Sequence, residues 1–199
     1  MLEIFLFVNP LGTQCRQAEA AVLRLQQEAL EQIDVHVAIL LNFQVITDIL
    51  MAHHLDPNDL ALRNQVTDAA YQVALDFKAA QLQGNQKARQ LLLGEQEMFN
   101  DGNFVYDPAF ANALVAGYHF NQAAFCDDRQ RLATTHCLDA DQHLAQELGV
   151  NAAPDVVVFN TQTQTAGVKL GNTSHYQRLK AVCEKLAEPT APAAMLHVL

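Results

Sequence analysis

The N-terminal part of the chain contains two short β-rich segments with one helical segment between them, and this order limits the fold more than any other feature. Residues 2–8 form an apolar run with aromatic side chains that stops at Asn9-Pro10, as buried strands do. Apolar residues then recur at helical spacing over residues 14–31, and residues 33–41 are again rich in β-branched types. Because two parallel strands need a crossover connection, usually a helix, this segment is predicted to fold as a parallel βαβ unit.

The middle of the chain, residues 44–135, shows helical periodicity and almost no strand pattern. Asp56 and Pro57 are typical of a helix N-cap and a first helical residue, which predicts that a helix begins there. Since the block has no Pro- or Ser-rich low-complexity stretch, it is predicted to be an all-helical insertion rather than a linker. Further helices are expected over residues 86–99, from Asp107-Pro108 onward, and over residues 121–129.

The C-terminal part returns to an α/β pattern. Residues 140–148 are predicted to be helical with Gly149 as the C-cap, and the Val-rich residues 155–160 to be a buried strand. Residues 166–170 can pair back on that strand as a hairpin, and residues 174–187 are predicted to form an amphipathic helix.

The order of these elements predicts an α/β fold of the form βαβ … ββα with a large all-helical insertion. Residues 1–43 and 136–188 are expected to form one domain around a common sheet. Residues 44–135 are then the insertion, and residues 189–199 are a short apolar C-terminal tail.

The composition limits the partners of the chain. Of 199 residues, 22 are Asp or Glu and 12 are Lys or Arg, which gives a formal net charge of -10. Phosphate binding needs clustered basic side chains, so neither nucleic acid nor an anionic membrane surface is expected as a partner. A protein or peptide with basic groups is compatible with this charge.

The sequence favours a cytoplasmic protein with free thiols. Glu3 stands where a signal peptide carries positive charge, the apolar run 4–8 is too short for its hydrophobic region, and no apolar stretch reaches membrane-spanning length. The four cysteines are widely spaced, without a CxxC motif or a zinc-like cluster, and no metal site is expected.

Several residues that could carry chemistry are expected to be structural instead. Cys126, Cys137 and Cys183 lie in helical patterns, where free cysteine commonly fills the core as a small apolar residue. Asp139 and Asp141 are expected to be solvated rather than metal ligands, because their spacing matches no calcium-binding loop.

Two short motifs, together with the element order, resemble the DsbA-type branch of the thioredoxin superfamily. The first is the strand, turn and helix start of residues 7–15, where that family carries a CxxC motif whose first cysteine corresponds to Gly12 and whose second is Cys15. The second is residues 148–154, which in the family form the loop that bears a cis-proline opposite the CxxC, here Pro154. The resemblance implies a thioredoxin-like fold over the whole chain.

Within that branch, residues 9–15, with the pattern Asn-Pro-Leu-x-x-x-Cys, are most similar to the YjbH or SpxH adapter proteins of Gram-positive bacteria, which present the regulator Spx to the protease ClpXP. Those proteins resemble DsbA and begin with Pro-Leu-Cys-Pro-x-Cys, whereas Gly12 and Thr13 replace the Cys-Pro pair here. The resemblance implies a protein or extended-peptide partner, such as an Spx-like regulator together with ClpXP.

The missing cysteine changes what the first motif can do. In a CxxC motif at a helix N-terminus, the first sulfur is held as a thiolate and attacks, and the second resolves the mixed disulfide. Gly12 has no sulfur, so no dithiol cycle can run within the motif. Cys15 is expected to face the core as a small apolar residue; the alternative is a single redox-sensing or glutathione-reactive thiol, which requires an exposed sulfur.

Pro154 also admits two interpretations: a proline that begins a strand, or the cis-proline that the resemblance implies. In the family, the backbone beside the cis-proline pairs with an extended peptide by strand addition, which needs no cysteine. The predicted groove therefore comprises Gly12, Thr13, Ala153 and Pro154.

Three functions are compatible with these residues. The favoured one is a protein-binding adapter. The second is a thiol-disulfide oxidoreductase or isomerase that uses Cys15 alone as its catalytic residue. The third is a glutathione-dependent transferase or isomerase of the kappa type, in which Thr13 is the hydroxyl nearest to the position where that group carries a serine. No cofactor is expected, except glutathione under the last two hypotheses.

Overall fold

Strands and helices account for most of the described chain. The structure is a computed structural model that describes residues 1–12, 14–29, 32–162, 167–171 and 176–187. Its strands are β1 (Leu2–Val8), β2 (Ile33–Ile39), β3 (Asp155–Asn160) and β4 (Val168–Gly171). Its helices are α1 (Gln14–Glu28), α2 (Phe43–Ala52), α3 (Leu60–Gln81), α4 (Asn85–Gln96), α5 (Pro108–Gly117), α6 (Gln122–Gln130), α7 (Leu132–Glu147) and α8 (Tyr176–Ala187), with a single 3-10 turn at Glu97–Phe99. None of these described helices has the length and apolar character of a membrane span.

The strands form one mixed sheet in the order β2-β1-β3-β4. β1 and β2 run parallel and are joined by α1, whereas β3 pairs antiparallel with β1, and β4 antiparallel with β3. Leu6 in β1 is fully buried and is paired with Val37 on one side and Val156 on the other. The predicted βαβ … ββα order is therefore confirmed.

The long stretch between β2 and β3 is helical, as predicted, but the first predicted helix start is wrong. Asp59, not Asp56, is the N-cap of α3, and its carboxylate accepts hydrogen bonds from two amides of the first turn. Asp56 instead accepts a hydrogen bond from the amide of Asn58. Asp56 and Pro57 thus belong to the turn that precedes the helix. The helix begins after Asp59 because the carboxylate of Asp59 is the one that binds the first helical amides.

Two pieces of regular structure are not singled out by the periodicity of the sequence. One is α2, which begins with Asn42 as its N-cap; the side chain of Asn42 accepts a hydrogen bond from the amide of Val45. The other is the first part of α7, which starts at Leu132 rather than at residue 140. The predicted domain boundary at residue 136 consequently lies inside a continuous helix.

Polar side chains of α3 and α7 cover the free edge of β2. The amide of Ile39 donates to Asp141 at 2.7 Å, and the same carboxylate pairs with Lys78 at 2.6 Å. Gln142 accepts from the amide of Leu41 and donates to the carbonyl of Ile39. Asp141 is largely buried, and burial raises its pKa against the opposing effect of Lys78, so the expectation that it is solvated is wrong. These contacts occupy the C-terminal end of the β2 edge, which protects that end from pairing with another chain.

Asp76 is the centre of a buried polar cluster in the insertion. Its carboxylate pairs with the guanidinium of Arg129 on α6 and accepts a hydrogen bond from the hydroxyl of Tyr106. Arg129 also donates to the side-chain oxygen of Gln72 at 2.6 Å. These contacts connect α3, α6 and the loop before α5, so they hold the insertion together at one point.

Glu95 on α4 is fully buried beside this cluster, and no described group donates a hydrogen bond to its carboxyl oxygens. A hydrogen bond between Glu95 and the carboxylate of Asp76 therefore requires a proton on one of the two. Burial first, and then the negative charge of Asp76, raise the pKa of Glu95 well above its ordinary value, and Arg129 opposes the shift only in part. The environment therefore favours the protonated, neutral form of Glu95.

The cysteine predictions outside the motif are confirmed for one residue and wrong for two. Cys183 on α8 is buried, whereas Cys126 and Cys137 are exposed. The buried residues beside them are Phe125 on α6 and Leu138 on α7, and adjacent helical positions point about 100° apart. The predictions for Thr13, for residue 166 in the hairpin, for residues 174–175 at the start of the last helix and for the tail 189–199 lie outside the described residues.

Glu95→Gln is expected to stabilise the protein more at high pH than at low pH. A carboxyl group whose pKa is raised by folding stabilises the fold fully only below its ordinary pKa, and that contribution is lost as the pH rises through the raised value. Gln copies the neutral form, so the free energy of unfolding of the variant should exceed that of the wild type by up to about 1.4 kcal/mol per pH unit above the ordinary Glu pKa.

Urea unfolding between about pH 4.5 and pH 8 measures this difference. Glu147→Gln, at an exposed position on α7, is the matched control and should leave the pH dependence unchanged. The assignment of a neutral Glu95 is contradicted if Glu95→Gln shifts stability by the same amount at every pH.

Candidate functional site

The loop between β1 and α1 is organised around Asn9. Its side-chain oxygen accepts a hydrogen bond from the amide of Leu11 at 2.9 Å, and its backbone carbonyl accepts one from the amide of Gly12 at 3.3 Å. The side-chain amide of Gln96, at the end of α4, donates to the same carbonyl at 3.2 Å. The turn that precedes α1 is thus held both by Asn9 itself and by the helical insertion.

Gly12 occupies the position where the resemblance places the attacking cysteine. A Cβ atom there would lie 2.8 Å from Nδ2 of Asn9 and 3.0 Å from its Cγ. Both distances are well inside van der Waals contact, so a side chain at residue 12 requires the Asn9 side chain to move and its bond to Leu11 to weaken. The space of the absent cysteine side chain is therefore filled by Asn9.

Cys15 lies in the first turn of α1 and is buried, with only 2% of its surface exposed. Its sulfur accepts a hydrogen bond from the amide of Asn9 at 3.2 Å. Burial raises the pKa of Cys15 to about 12; the Asn9 amide opposes the shift and the nearby Glu19 adds to it. Because the thiolate is the reactive form, this sulfur is a poor nucleophile at neutral pH. The prediction that Cys15 faces the core is confirmed.

The peptide bond between Ala153 and Pro154 is cis, as the resemblance implies. Pro154 is buried directly before β3, and Ala153 is half-buried. Among the described residues, no group donates a hydrogen bond to the backbone of Ala153 or accepts one from it. The loop therefore presents one backbone amide and one carbonyl that can pair with a ligand.

A cavity of about 190 Å³ lies between the two motifs. Gly12 and Cys15 line it from the first motif and Ala153 from the second, and Pro154 follows Ala153 in the chain. The structure thus brings these predicted site residues together, whereas Thr13 lies outside the described residues. The other lining residues are Asn9, Leu11, Asp48, Ile49, Ala52 and His53.

The wall of the cavity that α2 and its C-cap supply is not predicted by the sequence motifs. The N-cap residue Asn42, followed by apolar residues 45, 46, 49 and 50 at helical spacing, is a signal that can locate the helix. No local signal shows that the helix packs beside the loop at Asn9, because that contact depends on the path of the chain after β2.

A larger cavity of about 510 Å³ lies at the opposite end of the sheet, where β1 and β2 begin. It is lined by Leu2, Ile33 and residues of α1 and α8, and none of its lining residues belongs to either motif. Within the described residues, no group of three or more His, Cys, Asp or Glu side chains is placed to hold a metal ion.

Comparison with known proteins agrees with this geometry. A family model described as Thioredoxin matches residues 5–181. The ClpXP adapter protein SpxH of Staphylococcus haemolyticus is 25% identical over 85% of this chain and 59% of that protein. SpxH of Bacillus subtilis is 23% identical over 96% of this chain and 70% of that protein. The chain thus spans about 59–70% of the length of these two curated relatives.

A solved structure shows the same fold. The cytosolic disulfide reductase DsbM of Pseudomonas aeruginosa superposes with a TM-score of 0.61 over 92% of this chain and 97% of that chain, at 14% sequence identity. The predicted thioredoxin-like fold with a helical insertion is therefore confirmed.

A thiol titration is expected to detect two reactive cysteines in the native protein. Cys126 and Cys137 are exposed, whereas Cys15 and Cys183 are buried, and burial raises the pKa of each of these two to about 12. An aromatic disulfide reagent at about pH 8 should therefore titrate two thiols before denaturation and all four afterwards. A third fast-reacting thiol that is lost in Cys15→Ser would show that Cys15 is accessible.

Gly12→Ala is expected to destabilise the fold by about 1–3 kcal/mol, because the added methyl group overlaps the Asn9 side chain. Asn9→Ala removes the obstacle, so the cost of the methyl group should shrink in the double variant. Urea unfolding of the four proteins should give a coupling energy of about 0.5 kcal/mol or more.

Gly117→Ala is the matched control, because a Cβ atom there meets nothing within 4 Å. This substitution should be neutral or slightly stabilising. Strictly additive effects of Gly12→Ala and Asn9→Ala would mean that the two positions do not compete for space.

Proposed function

The chain belongs to the thioredoxin family, and from that premise we propose that it is a protein-binding adapter with no dithiol redox cycle of its own. It binds an extended segment of a partner protein at the cavity between Gly12, Ala153 and α2. The partner is an Spx-type regulator, which the adapter presents to the ClpXP protease in the cytoplasm, in keeping with the function named for the SpxH relatives.

One observation supports this proposal: a cavity lies beside the cis-proline, and the cysteine in its lining is buried rather than reactive. Gly12 has no side chain, and Asn9 fills the space of one. Cys15 is buried, and its pKa is raised to about 12. A single-cysteine oxidoreductase needs an accessible thiolate, so these contacts favour binding over electron transfer.

The backbone around Pro154 supports strand addition as the mode of binding. β3 already has β1 on one side and β4 on the other, so a peptide cannot pair with the strand itself. Ala153, two residues before β3, has an amide and a carbonyl without partners among the described residues. Main-chain hydrogen bonds to this residue supply affinity, and the adjacent cavity supplies selectivity.

Degradation of a purified Spx-type regulator by ClpXP is expected to be faster when this protein is added. Ala153→Arg places a long side chain in the cavity and should abolish the stimulation. Ala123→Arg, at an exposed position on α6, adds the same bulk and charge away from the cavity and should retain it.

Binding of the regulator is measured in the same preparations by pull-down with the immobilised protein. A folded wild-type protein that neither binds the regulator nor accelerates its degradation would reject the adapter function. Equal loss of stimulation in both arginine variants would reject the cavity as its site.

A further inference from the structure

The cavity between the two motifs has the size of a pocket for one side chain. Its volume of about 190 Å³ is below the roughly 300–1,000 Å³ of pockets that hold drug-sized molecules. It lies directly beside the unpaired backbone of Ala153, where an extended peptide presents alternate side chains to the protein surface. One side chain of such a peptide can therefore enter the cavity.

The lining of this pocket is partly apolar and partly polar, and it includes an exposed carboxylate. Leu11, Ile49 and Ala52 supply apolar surface, whereas Asp48 is an exposed residue of the lining. Gln44 donates one hydrogen bond to Asp48 at 2.8 Å. A carboxylate has about four acceptor positions, so Asp48 retains the capacity to bind a cationic group.

The pocket has one carboxylate in its lining and no Lys or Arg among the described residues. The basic side chain that lines it is the imidazole of His53, and the whole chain has a formal net charge of -10. Arg63 also contacts α2, but it does so at Phe43 and Thr47 rather than at Asp48. A cationic side chain that enters the pocket thus finds an acceptor, and an acidic one meets a like charge.

We infer that this pocket selects a lysine or arginine of an extended peptide, and that Asp48 is the residue that determines this specificity. Both side chains combine an apolar stem, which matches Leu11, Ile49 and Ala52, with a cationic end that can reach a carboxylate at the rim. The inference rests on the proposed function, because it requires a peptide bound at Ala153.

Fluorescence anisotropy with a series of guest peptides tests the inference. The host is a fluorescein-labelled, uncharged peptide of about ten residues, rich in Thr and Val, with one central guest that is Lys, Arg, norleucine, Gln or Glu. Wild-type protein is expected to bind the Lys and Arg peptides about tenfold more tightly than the Gln and Glu peptides. Asp48→Asn keeps the shape of the side chain and removes its charge, so it should abolish this preference.

Asp68→Asn is the matched control, since Asp68 is exposed on α3, does not line the pocket and changes the net charge equally. This variant should keep the preference for basic guests. Equal affinity of the wild type for Lys, Gln and Glu guests, or a basic preference that survives Asp48→Asn, would overturn the inference and leave the adapter function standing.

The two proposals can fail separately. If no peptide of the series binds although the wild-type protein accelerates ClpXP degradation, the pocket assignment is wrong and the adapter function stands. If both assays fail with folded protein, both proposals are rejected.

Discussion

The hydrogen bonds of Asn9 connect the three parts of the molecule that meet at the candidate site. Asn9 follows β1; its amide donates to the sulfur of Cys15 in α1, and its carbonyl accepts from Gln96 of the helical insertion. A buried polar group that loses its partner costs about 1–3 kcal/mol, so these bonds strongly favour one loop conformation. The shape of the turn at Gly12 is thus maintained by an asparagine rather than by a pair of sulfurs.

Much of the fold could be predicted because the relevant signals are local. The bounds of β1 and β3 follow from the sequence, since each strand has a mostly apolar stretch next to turn residues. The predicted start of α3 is wrong because Asp56 and Asp59 both carry an N-cap signal within four residues. The prediction that Cys126 and Cys137 lie in the core is wrong. Each is next to a residue that is buried, and helical periodicity in the sequence does not distinguish two neighbouring positions.

One part of the candidate site can also be predicted from local sequence, and another part cannot. Gly12, Cys15, Ala153 and Pro154 can be selected from the sequence because each lies in a short contiguous motif that resembles the DsbA-type family. The wall formed by α2 could not be found, because only the folded path brings it beside Asn9. The role of Asp141 cannot be predicted for a similar reason: its partners, Lys78 and the amide of Ile39, both lie far earlier in the chain.

Side-chain contacts at the edge of β2 connect the helical insertion to the α/β part of the chain. Lys78 and Gln81 lie in the insertion, but their partners, Asp141 and the carbonyl of Val37, belong to the α/β part. Excising residues 44–135 would remove the cation that pairs with Asp141 and would expose the strand edge that Gln81 helps to cover. The helical block is therefore not a detachable module. Its outer loops can vary in length, but the residues of the block that contact the α/β part can change only together with their partners there.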